Sequence, residues 1–101
     1  LKNKLFMSLV EVLKSGNYHL IDVREPMELE MYGHIEEAQN IPLGELEDRK
    51  QEILNLSGFK IFFCRSGNRS GQAQHYLSQK GIDCYNAGSW LDVNYYQSQT
   101  S

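Results

Sequence analysis

The residues best suited to covalent chemistry lie together in the stretch IFFCRSGNRSGQA, Ile61 to Ala73. An apolar run ends in Cys64, a polar and glycine-containing loop with Arg65 and Arg69 follows, and a helix-like pattern then begins. In open α/β sheets, sites form at the carboxyl ends of strands. A tight loop there turns several backbone N–H groups inward as an anion-binding nest, and the following helix adds the partial positive charge of its N-terminus. With two arginines, all of these favour thiolate over thiol; thiol pKa values at such sites fall from about 8.5 to roughly 3.5–7.5. The loop therefore reads as a device for holding a reactive sulfur anion and receiving an anionic substrate. Gly67 is expected to supply a turn with positive φ, Ser66 and Ser70 to offer hydroxyl donors, and Ser70 or Asn68 to cap the helix. No histidine stands in the loop, and a thiolate already ionised by its loop needs no base to attack.

Other chemistry-bearing residues carry plainer readings. Asp22 and Arg24 read as a structural pair supporting the loop. His34 reads as a turn histidine, Glu36 and Glu37 as a solvated turn, and Tyr85 and Trp90 as core or pocket rim. Cys84 lies in an apolar segment and reads as an inert buried thiol. Two cysteines make no disulfide framework, and the three histidines form no CxxC or HxxxH spacing. No metal and no cofactor is expected.

The elements that must position the loop follow from periodicity. Leu5, Leu9, Val12 and Leu13, with Gly16 beyond, predict an amphipathic helix. Strands are predicted at Tyr18–Val23, Ala38–Pro42, Phe59–Cys64 and Ile82–Asn86. REPMELEMYG predicts a short helix opened by Pro26 and closed at Gly33. Residues 43–56 read as one helix, and residues 69–81 as another with Gly81 at its C-terminal end. AGSWLDV reads as a turn and one helical turn, and residues 95–101 as a polar tail that frays. Strands alternating with helices predict an α/β fold, a mainly parallel sheet of four to five short strands with helices on both faces.

The 101 residues suit one domain, 1–101. Ten basic and thirteen acidic residues give a net charge of −3, which argues against nucleic acid and membrane surfaces as partners. No apolar run approaches the length of a bilayer span. No signal peptide is visible, so a cytoplasmic location is expected, or a periplasmic one if an upstream signal has been removed.

The motifs also resemble a family. CRSGNRS (Cys64–Ser70) matches the rhodanese active-site signature C-R-x-G-x-R-S/T throughout. IDVRE (Ile21–Glu25), GHIEEAQNIPL (Gly33–Leu43) and YLSQKGIDCYNAGSW (Tyr76–Trp90) resemble its remaining conserved segments in order, over about residues 18–92. The NAG form is similar to the small phage-shock type of single-domain rhodanese. Glu37 and Ser89 depart from the pattern, each standing where the family usually has glycine. The resemblance implies a three-layer rhodanese-like domain and a thiosulfate-type sulfurtransferase. Cys64 would be its persulfide carrier, and Arg65, Ser66, Gly67, Asn68, Arg69 and Ser70 its substrate-binding loop, with Arg69 foremost and Arg65 after it drawing in the anionic donor. The implied partners are a small anionic sulfur donor and a thiol or cyanide acceptor, with a protein acceptor as a further candidate. Two other readings stand beside it. One is a phosphatase or arsenate reductase; those loops have the spacing C-x5-R, whereas four residues separate Cys64 from Arg69, and a shorter loop suits one sulfur better than a phosphoryl group. The other is a non-enzymatic or redox-sensing module in which Cys84 resolves Cys64.

Overall fold

In the computed structural model the described residues are 7–100; Leu5, one of the expected anchors of the first helix, lies outside them. Helix α1 (Leu9–Ser15) starts at a reciprocal cap, the Ser8 hydroxyl accepting from Glu11 N–H and the Glu11 carboxylate from Ser8 N–H. It ends at Gly16 in the left-handed region, φ 74°, a geometry open to glycine at little cost. Strand β1 (Tyr18–Asp22) leads to α2 (Pro26–Tyr32), and β2 shrinks to Gln39–Asn40 before Pro42. Strand β3 (Phe59–Cys64) feeds α4 (Asn68–Ser78), and β4 (Tyr85–Ser89) runs directly into α5 (Trp90–Ser98). The remaining helix, α3, is Lys50–Leu54.

The four strands are all parallel, in the order β2-β1-β3-β4. Side chains alternate across β3, so the sheet has two apolar faces. Phe62 and Cys64 point with Ile21 into a core completed by Ile53 of α3 and by Ala73 and Leu77 of α4. Ile61 and Phe63 point with Leu20 into the opposite core, completed by Val12 and Leu13 of α1 and Val93 of α5. Helices therefore cover both faces, as the alternating pattern requires for a buried parallel sheet. Burying each of these large side chains contributes about 1.5–3 kcal/mol, which fixes β3 and hence the place where Cys64 emerges.

Three expectations are corrected. The helix read over 43–56 is broken: a short 3-10 turn at Leu43–Glu45 and a run of turns precede α3. The break lets Leu43, Leu46 and Ile53 all reach the same core. The strand read over 82–86 begins only at Tyr85; Ile82 and Cys84 are buried in the irregular segment between α4 and β4. The single helical turn expected after Trp90 is a nine-residue helix that takes in residues 95–98 of the expected fraying tail. Its inward face is Trp90, Val93 and Tyr96, at spacing three, and Ser89 and Asp92 cap its start reciprocally.

Candidate active site

Cys64 is the last residue of β3 and has no exposed surface. Gly67 turns the chain with φ 95° and ψ −8°, and α4 begins at Asn68. Gly67 thus occupies the cap position given above to Ser70 or Asn68, and it brings no capping side chain. The sulfur takes that place. Sγ lies 3.1 Å from Gly67 N, 3.4 Å from Ser70 N and 3.4 Å from Ser70 Oγ. N–H groups that a helix start leaves without partners are aimed at Cys64. Burial pushes the Cys64 thiol up, but the Ser70 hydroxyl and the N–H groups of Ser70, Ser66 and Gly67 outweigh it and hold the pKa below its ordinary 9.0.

The loop is pinned from β4. Asn86 donates to Gly67 O at 3.1 Å, and its Oδ1 accepts from the Ser70 hydroxyl at 2.7 Å and from Gly88 N–H at 3.0 Å. The β3–β4 register shifts between Phe62 and Cys64, where Asn86 faces Phe62 and Ser89 faces Cys64, leaving an extra β4 residue as a bulge beside the site. Gly88, at φ 89°, lies in that bulge. A Cβ on Gly67 would stand 3.2 Å from Gly88 Cα, so the two backbones approach where a side chain would intrude. Sequence reasoning missed Asn86, whose only signal is its place in the NAG segment.

The charged residues divide. Asp22 and Arg24, both about 1% exposed, form a buried pair with contacts of 2.8–3.0 Å. Arg24 also reaches Gly33 O and lies 5.0 Å from the Trp90 ring centroid. Arg69 is committed to Glu28 of α2 by two bonds of 2.7 and 2.8 Å. The Arg69 hydrogen bond holds Glu28 well below the usual carboxylate range, at about 2. Nothing in the loop's spacing signals that pairing. Arg65 is exposed and stacks on Tyr32, 5.9 Å from its centroid. Ser66 and Asn68 are exposed at the rim. A cleft of about 340 Å³ adjoins the loop, lined by Arg24, Glu28, Tyr32, Arg65, Trp90 and Leu91. His34 is exposed and meets Glu36 at 3.7 Å; it is not part of the cleft lining.

The two departures from the expected motifs have local accounts. Ser89 caps α5 through its hydroxyl, which accepts from Asp92 N–H at 3.0 Å. Glu37 sits in an exposed turn, and no non-glycine among the described residues has positive φ, so the turn takes a side chain without strain. Among the described residues no group of three or more histidines, cysteines or carboxylates could hold a metal, and no helix is long and apolar enough to cross a membrane.

A parallel α/β sheet presenting a cysteine at the start of a helix defines a class of thiolate-bearing domains. Comparison with known proteins narrows it: residues 7–93 match the rhodanese-like domain model, and the chain belongs to that family. It is 46% identical over 68 residues to the uncharacterized protein YqhL of Bacillus subtilis, covering 66% of this chain and 52% of that protein. It is 35% identical over 77 residues to the thiosulfate sulfurtransferase PspE of Escherichia coli, covering 74% of this chain and 73% of that one. Among solved structures, a rhodanese with anions from E. coli superposes with a TM-score of 0.65 at 35% identity, over 74% of this chain and 89% of that chain. The chain spans about half the length of YqhL.

Proposed function

We propose that the protein is a sulfurtransferase that moves a sulfane sulfur from thiosulfate or a similar donor to a thiol or cyanide through a persulfide on Cys64. The observation that carries this reading is the pair of backbone N–H donors aimed at Sγ, from Gly67 and Ser70, with the Ser70 hydroxyl oxygen 3.4 Å away, together with membership of a family whose named members include thiosulfate sulfurtransferases. The Cys64 thiolate attacks the outer sulfur of thiosulfate. The new Cys64 S–S bond forms as the donor's S–S bond breaks, and sulfite leaves with the electron pair. The persulfide's terminal sulfur carries the negative charge, and donors fixed before the reaction stabilise it without reorganising. A cyanide or thiolate then attacks that terminal sulfur and releases thiocyanate or a new persulfide, returning Cys64 as thiolate.

The geometry supports a division of roles within the loop. Gly67 and Ser70 stabilise the sulfur anion, with Ser66 N–H adding to them. Asn68 opens the helix. Arg65, exposed and held by a ring contact rather than a carboxylate, first meets the anionic donor. Arg69 holds the loop to α2 through Glu28. Asp22 and Arg24 support the floor beneath Trp90. Incubation with thiosulfate followed by peptide mass spectrometry tests the reading. We expect one added sulfur, about 32 Da, on the Cys64 peptide, removed by cyanide with formation of thiocyanate. An unmodified Cys64 with every sulfane donor overturns it.

A further inference from the structure

The charges around the thiol do not all face the donor. Arg24 is spent on Asp22 inside the core. Arg69 is spent on Glu28, and Glu28 itself lines the cleft beside the loop. Among the described residues Arg65 has no carboxylate partner; its contact is the Tyr32 ring. The cleft therefore offers a donor one uncompensated cation. The rest of its wall is Tyr32, Trp90 and Leu91, and its volume of about 340 Å³ equals about eleven water volumes at roughly 30 Å³ each. Thiosulfate is a small dianion without apolar surface, and it matches neither the charge nor the wall.

We propose that Glu28 is a specificity-determining residue: by holding Arg69 in a two-bond fork at the edge of the cleft, it withdraws a cation from the site and turns the enzyme toward sulfane donors with one negative charge and an organic body, over dianionic thiosulfate. This deepens the sulfurtransferase reading and rests on it. With an organic thiosulfonate, the Cys64 thiolate attacks the terminal sulfur and the donor's S–S bond breaks. The sulfinate leaves with the electron pair, and Cys64 carries the persulfide anion. The organic group meets Tyr32, Trp90 and Leu91 while Arg65 meets the charge. Glu28 acts through Arg69 and takes no part in bond making.

The test compares kcat/KM for thiosulfate and for benzenethiosulfonate, with cyanide as acceptor, in the unaltered protein and in Glu28→Gln. Gln keeps the side-chain oxygen that accepts from Glu25 N–H at the start of α2, and it frees the Arg69 charge. The unaltered protein is expected to prefer benzenethiosulfonate. The variant is expected to raise the thiosulfate-to-thiosulfonate ratio about fivefold, the effect of one unit charge on one further negative charge at contact distance in water. The double variant Glu28→Gln/Arg69→Gln removes both charges and is expected to bring the ratio back near its starting value, which a purely structural role for Glu28 would not do. An unchanged or lowered ratio in Glu28→Gln overturns the proposal, as does an initial preference for thiosulfate. If Glu28→Gln does not fold, the ratio is followed with ionic strength in the unaltered protein. A change below about twofold fits one exposed cation, and a steep fall for thiosulfate overturns the proposal. If neither donor leaves sulfur on Cys64, the sulfurtransferase reading itself has failed, a result separate from any change in ratio.

Discussion

Cys64 ends one strand of the sheet and Cys84 stands just before another, and both side chains are closed to solvent. Cys64 closes β3 at the exit edge of the sheet, under the start of α4; Cys84 precedes β4 at the entry edge. Burial pushes the Cys84 thiol up to about 12, and Asp83 beside it adds to the shift. The same burial acts on Cys64, yet hydrogen bonds from Ser70, Ser66 and Gly67 reverse it. Closure to solvent by itself raises a thiol pKa and disfavours the thiolate. What sets Cys64 apart is the set of donors that the left-handed turn at Gly67 leaves aimed at sulfur.

The two cysteines are also too far apart to work as a pair. Cys64 lies opposite Ser89, whereas Cys84 comes just before Tyr85, which lies opposite Ile61, three residues before Cys64. At about 3.3 Å per residue those three residues alone span about 10 Å, beyond the roughly 7 Å Cα separation a disulfide tolerates. The geometry speaks against Cys84 as a resolving thiol for Cys64.

The largest effect that could break this contrast comes from exchanging the thiols one at a time. Cys64→Ser is expected to abolish thiocyanate formation from thiosulfate and cyanide while leaving the circular-dichroism spectrum and melting curve of a folded domain. Cys84→Ser is expected to keep the activity within about twofold. Comparable losses in both variants would erase the distinction. A smaller effect sharpens it: Ser70→Ala removes the hydroxyl 3.4 Å from Sγ and leaves the backbone donors. The Ser70 proton rests on Asn86 Oδ1 and turns to Sγ as the thiolate forms, gaining a bond to a charged group of about 1.5–3 kcal/mol at the loss of a neutral one of about 0.5–1.5 kcal/mol, so loading of Cys64 is expected to slow about fivefold at neutral pH. The loss is expected to shrink as pH rises and the thiol ionises without help. A loss independent of pH would assign Ser70 a packing role instead.

Much of the frame was legible in the sequence because apolar run, turn residue and helix start coincide around β3. Phe59–Cys64 reads as a buried strand, and Gly16 and Gly33 end their helices where the pattern predicts. The broken segment over 43–56 was not legible, since helix-forming residues carry no mark of the turns that bring Leu43, Leu46 and Ile53 into one core. Ile82 and Cys84 mislead for a related reason: burial of apolar side chains does not require a strand. The three-residue spacing of Trp90, Val93 and Tyr96 was a signal of α5 that a polar composition hid. In the site, residue types and their order gave the cysteine loop, but not its partners from distant elements. Glu28 is 41 residues from Arg69, and Asn86 is 16 from Ser70. Which cation stays free and which hydroxyl is held depends on how α2 and β4 close around the loop.

The most direct test of the contrast is the rate of iodoacetamide alkylation at each cysteine, followed by peptide mass spectrometry from pH 5 to 10. Depressed in the folded state, the Cys64 thiol ionises below its ordinary 9.0, so its reactivity is expected to rise and level off below pH 9. Cys84, raised to about 12, is expected to stay unmodified across the whole range while the protein is folded. A Cys64 profile with its midpoint at or above 9, or a Cys84 profile that follows it, would contradict the claim that the loop, rather than burial, sets the chemistry of this sulfur.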